Sequence, residues 1–236
     1  MPRAGARPGR STVTLMEGSP GDAETVDPVQ RPGDDRRDPR VFPAPGENDG
    51  FRILYVCTGN LCRSPLAERL TLSILGPCSA LQVISAGTRA TPGMRMAERA
   101  QHVLIRLGGD PGGFTSQRLT SELVAAADLV LTATTEHRAE VVARHLPTAA
   151  RVFTIAEFGT LARAVPAAAV VCHDDPVRRA RALVTEVRAL RGLVRVDRPD
   201  IPDPYGRSRL AHRAAGRAIA QSLTVPFRLL THAPAS

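Results

Sequence analysis

The chain has 236 residues, 43% of them hydrophobic and 3% aromatic, with a formal charge of +8. That length and apolar content suffice for one large domain or two small ones around a buried core, and no run approaches the roughly 20 consecutive apolar residues that a membrane-crossing helix needs. All 31 basic residues are Arg, scattered along helical patterns and accompanied by no Trp, so the charge does not read as a nucleic-acid surface.

Residues 1–49 are dense in Pro, Gly, Arg and Asp, as in Arg31-Pro32-Gly33-Asp34-Asp35-Arg36-Arg37-Asp38-Pro39, and lack any periodicity; a disordered N-terminal tail is expected there, ahead of a domain over 50–236. The N-terminus has no apolar centre of the signal-peptide kind, so a cytoplasmic location is expected, with Cys57, Cys62, Cys78 and Cys172 reduced. No metal is expected, because Cys57 and Cys62 have neither a second pair nor a nearby His at zinc-ligand spacing.

The character changes at Phe51, where residues 52–56 form a short apolar run of the kind that makes a buried parallel strand. Ser64-Pro65 then opens a helix with Leu66, Leu70 and Ile74 on one face. A second strand over 81–84, a helix over 94–107 ending at Gly108-Gly109, a third strand over 129–132 and a helix over 136–145 follow. Residues 151–154 read as a fourth strand and 208–230 as a closing helix with a break at Pro226. Between these last two, the region near 160–200 reads as a surface helical insertion, with an amphipathic segment over 177–190. The alternation predicts an α/β fold: a four-stranded parallel sheet with helices on both faces.

In such a fold ligands bind at the carboxyl ends of the strands, and there stands Cys57-Thr58-Gly59-Asn60-Leu61-Cys62-Arg63-Ser64-Pro65. Gly59 and Asn60 tolerate left-handed backbone, so the loop can turn successive N–H groups inward as an anion nest backed by the positive end of the next helix. That setting favours the thiolate of Cys57 and holds a tetrahedral oxyanion above it. Arg63 offers a planar fork for two phosphoryl oxygens, and the Ser64 hydroxyl can donate to the sulfur. A merely structural cysteine is the plain alternative. Far downstream, Asp200-Ile201-Pro202-Asp203-Pro204-Tyr205-Gly206 would by itself make an ordinary Pro-rich turn.

At these residues the chain resembles the low-molecular-weight protein tyrosine phosphatases, whose signature Val-Cys-x-Gly-Asn-x-Cys-Arg-Ser-Pro is matched without a gap by residues 56–65. The resemblance continues through Ser85-Ala86-Gly87-Thr88, the strand over 128–132 and the Asp-Pro segment around Asp203. It implies a flavodoxin-like fold and a protein tyrosine phosphatase needing no cofactor, acting on a phosphorylated protein or small phosphomonoester. Cys57 would be the nucleophile of a phosphocysteine intermediate, Arg63 the clamp and Asp203 the general acid. Thr58, Gly59, Asn60, Leu61, Cys62, Ser64 and Tyr205 would surround the substrate, and Ser85 would hold Asn60.

The chain also departs from that pattern. Where the family usually places a large aromatic after the Ser-Ala-Gly-Thr turn, it has Arg89-Ala90-Thr91-Pro92-Gly93; Phe114 falls where a supporting His is common, and only Tyr205 follows Asp203. Relatives that hydrolyse phosphoarginine tend to carry Thr where Leu61 stands, so Leu61 favours a phosphotyrosine-like ester. Arsenate reduction, the other enzyme alternative, needs relay cysteines in better positions than Cys78 and Cys172. Cys57 and Cys62 are candidates for a reversible protective disulfide. A non-hydrolysing phosphate-binding module is the alternative of another class, opposed by the presence of both a thiol and a distant acid.

Overall fold

The four apolar runs form four strands, β1 (Phe51–Cys57), β2 (Leu81–Gly87), β3 (Leu129–Thr132) and β4 (Val152–Thr154), in one all-parallel sheet of order β2-β1-β3-β4. The computed structural model describes Phe42, residues 50–78 and residues 80–231. Strand β1 lies inside the sheet, where the pleat sends alternate side chains to opposite faces. Phe51, Ile53 and Tyr55 enter the larger core, while Leu54 and Val56 enter the smaller one. Burying each of these large side chains contributes about 2 kcal/mol.

Helices α1 (Arg63–Leu75), α2 (Glu98–Arg106), α5 (Ile155–Ala164), α6 (Ala168–Val171), α7 (Pro176–Ala189) and α8 (Arg209–Thr231) supply the larger core. Helices α3 (Ser121–Ala126) and α4 (Thr135–Arg144) supply the smaller one through Val124 and Val141. The sheet is thus covered on both faces, as the alternation of elements predicts. No helix among the described residues is long and apolar enough to cross a membrane.

Several expectations need correction. The 160–200 segment is not laid on the surface: Leu161, Ala162, Val170, Val177, Ala180, Leu183 and Val187 are all part of the main core. Arg191 ties its far end down, lying 3.9 Å over the Phe153 ring, donating to the Val152 carbonyl at 2.6 Å and pairing with Glu157 at 3.0 Å. The apolar stripe of the amphipathic segment, now α7, has period 3.6 and faces that core. Pro226 does not break α8, which runs through it with Pro226 itself buried. Gly159 of α5 packs where a Cβ would lie 2.5 Å from the Ser222 carbonyl oxygen, the oxygen that Pro226 leaves without its usual N–H partner. Helix α2 begins at Glu98, not at 94, because the Ala97 N–H is spent on the Leu61 carbonyl at 2.9 Å. The short α3, capped by Thr120, had no periodic signal of its own.

The expected N-terminal tail, 1–49, lies outside the described residues apart from Phe42. That ring is buried on the smaller core, with Leu54, Ile84, Val130 and Val141 in the same cluster.

Candidate active site

Cys57 is the last residue of β1, and the loop after it is shaped by where its carbonyls go. Thr88 N–H takes the Cys57 carbonyl, Arg89 N–H that of Thr58 and Ala97 N–H that of Leu61, each at 2.9 Å. In a trans peptide the following N–H points the opposite way, so the amides of Thr58, Gly59 and Cys62 are turned away from this framework, toward the cleft. Asn60 holds the one positive φ of a non-glycine residue among the described residues, +53°. Behind the loop, α1 starts at Cys62 and Arg63 with no side-chain cap and no acidic residue in its first turn, which leaves its positive end open to an anion.

The strained loop is held by a buried polar relay. The Asn60 amide donates to Ser64 Oγ at 2.9 Å and to Ser85 Oγ at 2.7 Å, and its oxygen accepts from the Gln117 backbone at 2.9 Å. Ser85 Oγ in turn donates to Glu68 Oε2 at 2.5 Å. Having accepted from Asn60, Ser64 keeps its own hydrogen for Cys57 Sγ, 3.0 Å away. Burial outweighs the bond from Ser85 and the nearby Arg69 and pushes the Glu68 carboxyl up to about 7. Cys62, buried beside Cys57 and Asp203, is pushed up to about 12, so it stays a thiol.

Arg63 is 4% exposed in its side chain and lies under the mouth of the cleft, while Asp203 at the rim is 47% exposed. Their Nη2 and Oδ2 atoms are 2.7 Å apart, and Arg63 also donates to the Ile201 carbonyl at 3.1 Å and to Thr58 Oγ1 at 3.4 Å. The segment carrying Asp203 is stitched to the sheet end: Ile201 N–H donates to Ala133 O at 2.8 Å, and Asp200 accepts from Thr135 N–H at 2.7 Å. Asp200 therefore anchors the segment and Asp203 faces Arg63. Asp203 Oδ1 accepts from the Tyr205 amide at 3.1 Å, and the Tyr205 ring stands 64% exposed at the rim.

The cleft, about 260 Å³, is lined by Cys57, Thr58, Gly59, Leu61, Cys62, Arg63, Asp203 and Tyr205. The two sequence motifs, 140 residues apart at Arg63 and Asp203, are thus brought together. Asn60, Ser64 and Ser85 lie beneath, fully buried or nearly so. Cys78 and Cys172 do not line the cleft, and among the described residues no cluster of His, Cys, Asp and Glu could hold a metal.

Sequence reasoning missed three supports. Glu68 lies one helical turn after Ser64 on α1, a spacing that could have revealed it. Gln117 carried no signal; it also donates to the Ser85 carbonyl at 2.9 Å, while Phe114 is buried with the Arg69 guanidinium 5.8 Å from its ring. His137, in the first turn of α4, reaches Thr58 Oγ1 at 2.9 Å. Its place just beyond the carboxyl end of β3 was the available clue.

The family model described as low molecular weight phosphotyrosine protein phosphatase matches residues 52–191, more than half of the chain. The chain is 39% identical over 105 residues to the probable low molecular weight protein-tyrosine-phosphatase EpsP of Ralstonia solanacearum, covering 44% of this chain and 70% of that one. It is 35% identical over 115 residues to the protein-arginine-phosphatase of Bacillus subtilis, covering 46% and 72%. The crystal structure of the tyrosine phosphatase Wzb from Escherichia coli K30 in complex with sulphate superposes with a TM-score of 0.54 at 22% identity, over 75% of this chain and 95% of that one, and shares the fold. The chain is a cysteine-dependent phosphatase and belongs to the low molecular weight phosphotyrosine protein phosphatase family.

Proposed function

We propose that the chain hydrolyses aryl phosphomonoesters of the phosphotyrosine type, with Cys57 as nucleophile, Arg63 as phosphoryl clamp and Asp203 as general acid and then base. The observation that carries this reading is the meeting of the Cys57 thiol, hydrogen-bonded at 3.0 Å to Ser64, with the Arg63–Asp203 pair in one cleft.

A phosphoryl dianion entering the cleft competes with Asp203 for Arg63 Nη2, which frees the rim carboxyl to turn toward the leaving oxygen. Cys57 Sγ attacks phosphorus as the thiolate, the P–O bond to the aryl group breaks, and Asp203, having taken a proton from solvent on leaving Arg63, gives that hydrogen to the departing phenolate. The resulting carboxylate then takes a proton from water, whose oxygen attacks phosphorus as the S–P bond breaks. Inorganic phosphate leaves and Cys57 returns as thiolate, accepting from Ser64. The loop amides, the α1 terminus and Arg63 stabilise the equatorial oxygens most when charge on them peaks, which is what lowers the barrier.

Substrate preference is read from the rim. Leu61 and the exposed Tyr205 ring flank the cleft, giving apolar surface for an aromatic leaving group, whereas Arg89 is exposed and outside the lining. The test is hydrolysis of an aryl phosphate, of phosphotyrosine peptides and of phosphoarginine peptides by parent, Cys57→Ser and Asp203→Ala proteins. Activity on the aromatic esters should vanish in Cys57→Ser and fall by about 10²- to 10⁴-fold in Asp203→Ala, the usual contribution of a positioned acid. A preference for phosphoarginine would overturn the substrate assignment, and undiminished turnover by Cys57→Ser would overturn the mechanism.

A further inference from the structure

Helices α2 and α8 leave between them a cleft of about 330 Å³ separate from the one holding Cys57. Its walls follow from helical spacing. Arg99, His102 and Arg106 stand at i, i+3 and i+7 on α2, and Arg209, His212 and Arg213 at i, i+3 and i+4 on α8, so each helix turns one cationic face inward. Gly216 lets the helices approach: a Cβ there would collide with the Val103 side chain. No carboxylate lines the cleft, and among the described residues none of its four Arg side chains forms an ion pair.

Four exposed guanidinium groups around one cleft, with no carboxylate in its lining, make a surface of positive potential that attracts an anionic ligand. His212 adds a fixed polar group. It is 4% exposed, and its Nδ1–H donates to the Ser208 carbonyl at 3.1 Å, so the ring is fixed in the wall and the arginines are the groups left to meet an anion. No Phe, Tyr or Trp lines the walls, so the large stacking platforms for bases are missing.

The cleft also adjoins the catalytic rim. Arg99 Nη1 donates at 2.5 Å to the carbonyl of Arg207, two residues beyond Tyr205, and α2 begins where Ala97 N–H holds Leu61 of the phosphate loop. A substrate chain leaving the Cys57 cleft over Tyr205 meets this basic surface next.

We propose that the α2–α8 cleft is a second, anion-binding site, which takes the acidic segment flanking the phosphorylated residue of a peptide substrate. The inference rests on the phosphatase reading above and adds to it a class of substrate: phosphopeptides with Asp or Glu beside the phosphorylated position. Arg106 and Arg213 are both exposed and take no part in the catalytic cleft, so charge reversal there leaves the chemistry untouched.

The experiment compares the parent with an Arg106→Glu, Arg213→Glu double variant on three substrates at low salt: an aryl phosphate, an acidic phosphotyrosine peptide and the same peptide with Ser and Gly flanks. In the parent the acidic peptide should show the lowest KM, and in the variant that KM should rise by about tenfold while kcat and both other substrates stay unchanged. Added salt should erase the parent's preference. Binding of the unphosphorylated acidic peptide to both proteins, followed by calorimetry, reads the site independently of catalysis. Loss of aryl phosphate turnover in the parent would defeat the phosphatase reading while leaving this second readout intact. Equal KM values for the two peptides in the parent, an equal rise for both in the variant, or protection of the cleft by a short RNA but not by the acidic peptide would overturn the proposal.

Discussion

His137 stands one hydroxyl away from Arg63. Thr58 Oγ1 accepts from Arg63 Nη2 at 3.4 Å, so its own hydrogen is free for His137 Nε2 at 2.9 Å, and the ring hydrogen then sits on Nδ1, donating to Thr134 Oγ1 at 2.6 Å. In that arrangement the imidazole is neutral. Burial first, and then the Arg63 charge, hold the His137 pKa below its ordinary value, against the opposing pull of Glu140, Glu136 and Asp203. A depressed histidine pKa means that the unfolded chain takes up the proton first, so this stabilising contribution is complete above about pH 6.5 and is lost as pH falls toward the folded-state value. His137→Ala should lower kcat/KM on an aryl phosphate by roughly tenfold, because a loosened Thr58 no longer fixes the clamp. His137→Gln, whose amide extends to a similar depth, should recover most of that loss and show a shallower fall in activity on the acid side. Identical pH profiles for all three proteins would show that the bond to Thr58 does not position Arg63.

The phosphate loop is an element whose shape is set by its neighbour in the sheet. A Cβ on Gly87, the last residue of β2, would lie 2.5 Å from the Thr58 carbonyl oxygen and 2.8 Å from the Asn60 nitrogen. Those contacts are with backbone, which cannot step aside without tilting the amides that face the cleft. Gly87→Ala should therefore cut kcat by at least about tenfold, while the urea unfolding midpoint moves much less, since the cores on either face are untouched. Parent-level turnover in Gly87→Ala would mean that the loop tolerates the displacement. The loop itself was legible in sequence because its residue types carry its chemistry: Cys57, Asn60, Arg63 and Ser64 each have a role that few other residues can fill. Asp203 was legible only through resemblance, since the closeness of Arg63 to Asp203 depends on how Asp200 and Ile201 are stitched to the ends of α4 and β3. The four strands could be read from short apolar runs, yet the buried role of α5 and α7 could not. Amphipathicity over 177–190 says that one side is apolar but not what covers it, and only the packing against partners such as α8 shows that the stripe of α7, like that of α5, belongs to the main core.

At the scale of the whole molecule, stability is divided between two cores that share β1. The smaller core has fewer helices over it, and Phe42 supplies part of its cover from ahead of the first strand. Phe42→Ala should cost about 3 kcal/mol, read as a lowered urea midpoint, with catalysis preserved in the folded fraction because the Cys57 cleft is elsewhere. The larger core carries a different liability in Glu68, which is 8% exposed on α1, with Oε2 accepting from Ser85 and Oε1 3.6 Å from Arg69 Nε. Its folded pKa, pushed up to about 7, lies above that of an unfolded chain, so the folded form holds the proton more tightly. The stabilisation from this proton is complete below about pH 4.3 and disappears as pH rises through about 7, a swing of about 3 kcal/mol. Glu68→Gln retains an oxygen to accept from Ser85 but never charges. Its unfolding free energy should match the parent's near pH 4.5 and exceed it by about 3 kcal/mol at pH 8, as measured by urea denaturation at the two pH values. A difference between the two proteins that is the same at both would mean that the cost of holding this carboxylate inside the fold is relieved elsewhere, and that the relay from Glu68 through Ser85 and Asn60 to Cys57 stays charged at no expense to stability.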